Sequence, residues 1–97
     1  MFYIYIIYSA SSDRYYVGYS SDFNRRLQQH NDPEVRDTYT SKHIPWVLKA
    51  AFECGHSEST ALRIEKFLKK QKSRSLLERM ISGETLTGML GDLRKVT

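Results

Sequence analysis

Arg26, Glu65, His30 and a group of N-terminal tyrosines are the residues of this chain whose types and spacing could do chemistry. Projected at about 100° per residue, the helix-forming run 22–30 buries Phe23 and Leu27. His30 falls between them and Arg26 lies just beside them, whereas Arg25 points nearly opposite. A guanidinium at a core edge requires an anion, and an internal carboxylate or a bound phosphate meets that need equally well. In a later run, Ala61, Ile64, Phe67, Leu68 and Gln71 define an inner stripe with Glu65 on its edge. A carboxylate there either pairs with a cation, Arg26 or Lys69, or ligates a metal, and the projection leaves both open. Tyr3, Tyr5 and Ile7 share one strand face, and Tyr16 shares another with Gly18. Seven tyrosines among 97 residues is a high count, and aromatic residues in strands mostly serve packing. A phenol near a cation can also accept a proton, provided that cation lowers its ordinary pKa of about 10.

These side chains need a scaffold. Phe2 to Tyr8 is β-branched and aromatic and reads as a central strand covered on both faces. Ser9 to Arg14 is its hairpin loop, and Tyr15 to Gly18 the return strand. Ser20, Ser21 and Asp22 supply a helix cap, and Asn31-Asp32-Pro33 stops that helix near His30. Glu34 to Pro45 reads as irregular loop. Trp46, Leu48, Ala50, Phe52 and Cys54 alternate with Val47, Lys49, Ala51 and Glu53, which predicts a third strand ending at Gly55. Ser57 or Ser59 caps a second helix reaching about Gln71. Leu76, Leu77, Met80 and Ile81 predict a third helix over 75–82, stopped by Gly83. The order β-β-α-β-α-α predicts an α+β fold with a three-stranded, mostly antiparallel sheet flanked by helices. One domain over 1–83 is expected, with 84–97 a short helix or frayed tail.

Composition narrows the function classes. The hydrophobic fraction is 40% and the charged fraction 27%, ordinary for a globular domain. The run 2–8 is about a third of a membrane span and lacks signal-peptide features, so a cytoplasmic, non-membrane protein is expected. One cysteine, Cys54, rules out an internal disulfide. The net charge is +4, and Lys66, Lys69, Lys70, Lys72 and Arg74 form a basic stretch without an acid. Such a stretch either faces solvent or neutralises phosphates. His30, His43, Cys54 and His56 are too scattered for a structural zinc site. No glycine-rich phosphate loop, G-x-S-x-G or redox cysteine pair occurs.

Taken in order, these segments resemble the GIY-YIG nuclease domain, most closely its small stand-alone bacterial representatives. Tyr3-Ile4-Tyr5 stands for the first motif, with tyrosine in the usual glycine place, and Tyr16-Val17-Gly18 for the second, at typical spacing. The run from Asp22 to His30 is similar to the family's arginine helix, with Arg26 in the catalytic arginine's place and His30 in that of a frequent histidine. His43-Ile44-Pro45-Trp46 resembles the entry to the third strand. Ala61 to Lys69 resembles the helix carrying the metal-binding glutamate, here Glu65. The resemblance covers about residues 2 to 75. A late asparagine found in many members has no counterpart, since Asn24 and Asn31 are the only asparagines.

The resemblance implies a metal-dependent endonuclease that hydrolyses DNA phosphodiesters, directed by DNA structure rather than sequence. Glu65 would bind Mg²⁺ or Mn²⁺, Arg26 would clamp the phosphate, and Tyr5 would position or deprotonate the attacking water with Tyr16 in support. His30 would orient the phosphate or move a proton, with His43 and Gly18 as possible assistants. The basic residues Lys66 to Arg74 would track the DNA backbone. Branched or damaged DNA, a role in DNA repair and a monomeric state complete the expectation. A non-catalytic nucleic-acid-binding domain and a protein-interaction module are the competing readings.

Overall fold

The computed structural model describes residues 1–35 and 39–97. Its elements are β1 (Phe2–Ser9), β2 (Arg14–Ser20), α1 (Phe23–His30), β3 (Trp46–Gly55), α2 (Glu58–Gln71), α3 (Arg74–Ile81) and β4 (Arg94–Lys95). The sheet order is β2-β1-β3-β4, and every neighbouring pair is antiparallel. The fold is therefore α+β as expected, with a short fourth strand added to the three. Part of the expected loop 34–45 lies outside the described residues. Its described part holds a 3-10 turn at Thr40–Lys42.

β1 is apolar on both faces because both are covered. On one face Ile4 and Ile6 pack with Val17, Ala50 and Phe52 beneath Ile64 and Leu68 of α2 and Met80 of α3. On the other, Tyr5 and Ile7 pack with Trp46 and Ala51 beneath Phe23 and Leu27 of α1. α1 and α2 thus lie on opposite faces, and β2 is an edge strand between them.

Two expectations need correction. β3 does not keep one alternation throughout. Ile6 pairs with Ala50 but Ile7 pairs with Leu48, so Lys49 is an extra residue. That bulge switches parity: Trp46 and Leu48 join the α1 side, while Ala50 and Phe52 face α2. The segment 84–97, expected as a short helix or frayed tail, holds only a one-turn helix and then a strand. It makes a 3-10 turn at Gly88–Leu90 and returns to the sheet as β4. Beyond β4, the Val96 N–H donates to Ala51 O at 2.8 Å, and the Ala51 N–H donates to Thr97 O at 3.0 Å. Backbone hydrogen bonding recruits this edge, and two exposed basic residues carry no strand pattern to announce it.

The helix starts follow their capping residues. Asp22, Ser57 and Ser73 each accept a hydrogen bond from the backbone N–H three residues on, at 3.0, 3.3 and 3.1 Å. Asn31 ends α1 and fastens it to β3. Its side chain donates to Trp46 O at 2.8 Å and accepts from the Trp46 N–H at 2.5 Å.

Candidate active site

Tyr5 lies opposite Gly18 in the β1–β2 ladder. Its ring crosses the space that a side chain on Gly18 would fill. A Cβ there would sit 2.3 Å from Tyr5 Oη and 2.4 Å from Cζ. The glycine is needed for this close approach, since its φ is not positive. Tyr5 is 1% exposed, and its Oη lies 2.9 Å from His30 Nε2. His30 Nδ1 lies 3.0 Å from Thr40 Oγ1, and the Trp46 indole N–H donates to Thr40 O at 2.9 Å. A neutral His30 with its proton on Nδ1 satisfies both contacts: Tyr5 donates to Nε2, and Nδ1–H donates to Thr40.

The phenol is not acidic in this setting. Burial pushes the Tyr5 pKa up to about 12, and the adjacent Arg26 guanidinium opposes that rise by charge and hydrogen bonding. Tyr16 and Glu65 add to the rise. At neutral pH Tyr5 therefore keeps its phenolic proton and, with His30 in that tautomer, donates it to His30.

Arg26 and Glu65 reach the same place from opposite faces of the sheet. An open cleft of about 380 Å³ lies along the β2 edge, lined by Tyr5, Tyr16, Gly18, Arg26, Glu65 and Glu58 among others. Arg26 is half-buried and donates to Gln29 Oε1 at 2.6 Å. Of the readings left open by the sequence, the Arg26–Glu65 ion pair does not form. Among the described residues no carboxylate lies within 4 Å of Arg26. Glu65, with its side chain 15% exposed, instead meets Lys69 Nζ at 3.8 Å. That distance is long for an ion pair, and Glu65 lines the cleft. Tyr16 is half-buried, with its ring edge-on to His30 at 5.2 Å and Lys69 Nζ 4.6 Å from its centroid.

Tyr5, Tyr16, Gly18, Arg26 and Glu65 are thus brought together, and His30 stands directly behind Tyr5. His43 stands apart. Its Nδ1 lies 2.8 Å from Ser12 Oγ, and its ring packs against Tyr39 and Trp46. The basic stretch splits. Lys66 and Lys70 are exposed, away from the buried stripe of α2. Lys69, Lys72 and Arg74 line a neighbouring groove. Arg74 is already engaged, meeting Asp13 Oδ1 at 2.7 Å and Glu78 Oε2 at 3.3 Å. Two contributors are new. Thr40, which orients His30, lies in a polar stretch without periodicity. Glu58, which accepts from the Tyr19 hydroxyl at 3.2 Å, reads in sequence only as a first-turn helix acid.

The donor set fits one hard divalent cation held loosely. Among the described residues no group of three His, Cys, Asp or Glu side chains converges. Glu65 offers its carboxylate at the cleft it shares with Arg26 and Tyr5, and Glu58, bonded to the Tyr19 hydroxyl, lines the same cleft. Mg²⁺ and Mn²⁺ accept such a site when water and substrate oxygens complete the shell.

The cleft at the β2 edge thus joins an arginine, a glutamate and two tyrosines of a small antiparallel α+β domain. The chain belongs to the GIY-YIG family: the model of the GIY-YIG catalytic domain matches residues 1–78. GIY-YIG domains are generally endonucleases, so nucleic acid is the class of substrate. The chain is also 35% identical, over 79 residues, to a UPF0213 protein of Haloquadratum walsbyi, a match spanning 78% of this chain and 85% of that one. Among the described residues no helix is long and apolar enough to cross a membrane.

Proposed function

We propose that this protein is a divalent-metal-dependent endonuclease that hydrolyses DNA phosphodiesters, selecting its substrate by DNA structure rather than sequence. One observation carries the reading: a half-buried guanidinium, with no carboxylate within 4 Å among the described residues, faces a cleft that it shares with Glu65 and two tyrosines. A guanidinium so placed is suited to a phosphate, which takes its planar fork in two hydrogen bonds.

Each side chain then has a distinct task. Arg26 binds the scissile phosphate and stabilises the charge that grows on it. Tyr5 aligns the attacking water and passes its proton on. As the water's proton moves to Tyr5 Oη, the phenol proton moves to His30 Nε2 across 2.9 Å. His30, now cationic, keeps its Nδ1–H on Thr40. Such a relay needs no free phenolate, which suits a pKa of about 12. Tyr16 packs beside His30 and walls the cleft. Glu65 would hold the cation, which when bound polarises a phosphate oxygen and stabilises the leaving 3′-oxygen.

A nicking assay on branched, flapped and plain DNA, with Mg²⁺ or Mn²⁺, tests this. Wild type should cut branched or flapped DNA faster than plain duplex. Arg26→Ala and Glu65→Ala should each lose about 10²–10³ in rate. Cleavage surviving both substitutions would place the activity elsewhere. Binding without cleavage on every substrate would favour a domain that only binds nucleic acid. No binding even at low salt would favour a protein-interaction module.

A further inference from the structure

The catalytic cleft is one end of a longer trough. α2 runs antiparallel beside the β2 edge, and the side chains that meet across it change sign along the way. Tyr19 meets Glu58, the cleft centre holds Glu65, Lys69 lies over the Tyr16 ring at 4.6 Å, and Arg74 lies over the Tyr15 ring at 5.1 Å. The basic end opens into a groove of about 740 Å³ that shares Tyr16 with the cleft. Lys69 and Lys72 line it, and so does Tyr39, whose ring stacks on Tyr16 at 5.9 Å and is 39% exposed. Arg74 is committed to Asp13 and Glu78, so Lys69 and Lys72, with Arg14 at the same groove, carry the charge available to an anionic ligand.

We infer that this groove binds a short unpaired strand on one side of the scissile phosphate. The inference rests on the nuclease reading and names its substrate class: DNA with a single-stranded flank, such as a flap or splayed arm. Three features argue for it. The trough is acidic at the catalytic end and basic at the other, so a polyanion extends in one direction only. From Glu65 to Lys72 is about 10 Å along the helix axis, and a strand whose bases have left the stacked rise of about 3.4 Å covers it in fewer than three steps. Aromatic rings interleaved with lysines suit bases that have left their stack, because stacking on aromatic side chains tolerates any sequence. A duplex keeps its bases covered and gains nothing from Tyr39.

The test is fluorescence anisotropy of labelled flapped and blunt duplexes in EDTA, over a range of salt. Lys69→Gln/Lys72→Gln should weaken flap binding tenfold or more and flatten its log–log salt slope by about 1.4, at roughly 0.7 per phosphate lost. Arg94→Gln/Lys95→Gln removes the same charge at the opposite sheet edge and should leave flap affinity within twofold. Tyr39→Leu should weaken flap binding between about fivefold and a hundredfold, and Tyr39→Phe should restore it. Circular dichroism checks that each variant is folded. Trough variants that bind the flap like wild type, while blunt duplex is still bound and nicked, overturn this inference and leave the nuclease reading standing. Equal losses for flap and blunt duplex also overturn it. Wild type that binds no DNA overturns both.

Discussion

Replacing Gly18 with alanine adds one methyl group where the structure has no room for it. That Cβ would lie 2.3, 2.4 and 2.9 Å from three atoms of the Tyr5 phenol end, against an ordinary contact of about 3.5–4 Å. The ring must move by about 1 Å or more, yet Tyr5 is 1% exposed. Overpacking of this kind costs about 1–3 kcal/mol. Displacement also breaks the 2.9 Å contact with His30, about 1 kcal/mol further. A total of about 2–4 kcal/mol lowers the melting temperature of a domain this size by roughly 10–25 °C. The phenol also leaves its place over the cleft, and a misplacement of about 1 Å costs about 100-fold in rate. Tyr5→Phe should not rescue the variant, because Cζ is nearly as close as Oη. Tyr5→Leu should rescue stability but not activity, so the double variant should be less destabilised than the sum of the singles. Thermal unfolding by circular dichroism and a nicking assay read the two effects. Gly18→Ala with wild-type melting temperature and rate would refute the close approach, as would strict additivity with Tyr5→Leu.

Other consequences are open to measurement. Burial raises Tyr5 to about 12, so ultraviolet titration should show a late-ionising tyrosine that Tyr5→Phe removes. Because the folded pKa lies above the unfolded value, the associated stability is present below pH 10 and lost as pH rises through 12. An early-ionising tyrosine lost in Tyr5→Phe would contradict this. Hydrogen bonds from Arg74 and Tyr8 hold Asp13 down at about 2. A depressed carboxylate stabilises above its unfolded pKa near 3.8 and loses that effect as pH falls towards 2. Urea unfolding between pH 5 and 2 should therefore fall more steeply for wild type than for Asp13→Asn. Asn31→Ala deletes both hydrogen bonds to the Trp46 backbone and should lower stability by about 2–4 kcal/mol. Chemical denaturation with an unchanged midpoint would show that the clamp is dispensable.

Periodicity made much of the fold legible. The two-sided apolar run of β1, the capping residues and the inner stripes of the helices all point to elements that form. Periodicity also placed Arg26 and Glu65 at inner edges, but a helix projection carries no distances. It could not tell whether they meet each other or face a shared cleft. That depends on β2 being an edge strand between helices on opposite faces. Gly18 gave no hint of the Tyr5 ring, because the contact crosses strands. His30 was legible as inward-facing, whereas its alignment depends on Thr40, whose position comes from tertiary packing. The basic stretch looks uniform in one dimension. A turn of 3.6 residues and two acids from elsewhere divide it into solvated, groove-lining and ion-paired members. The bulge at Lys49 carries no glycine or proline to mark it.

The central claim is that Glu65 and Arg26 serve chemistry at one cleft rather than fold or affinity alone. Single-turnover cleavage of a flapped duplex in Mg²⁺, with DNA affinity measured in parallel, tests it most directly. Glu65→Gln keeps the shape and removes the charge. The predicted result is a rate lower by about 100-fold or more, with the melting temperature unchanged and affinity within a few-fold of wild type. A Glu65→Gln protein that cuts at the wild-type rate would contradict the account.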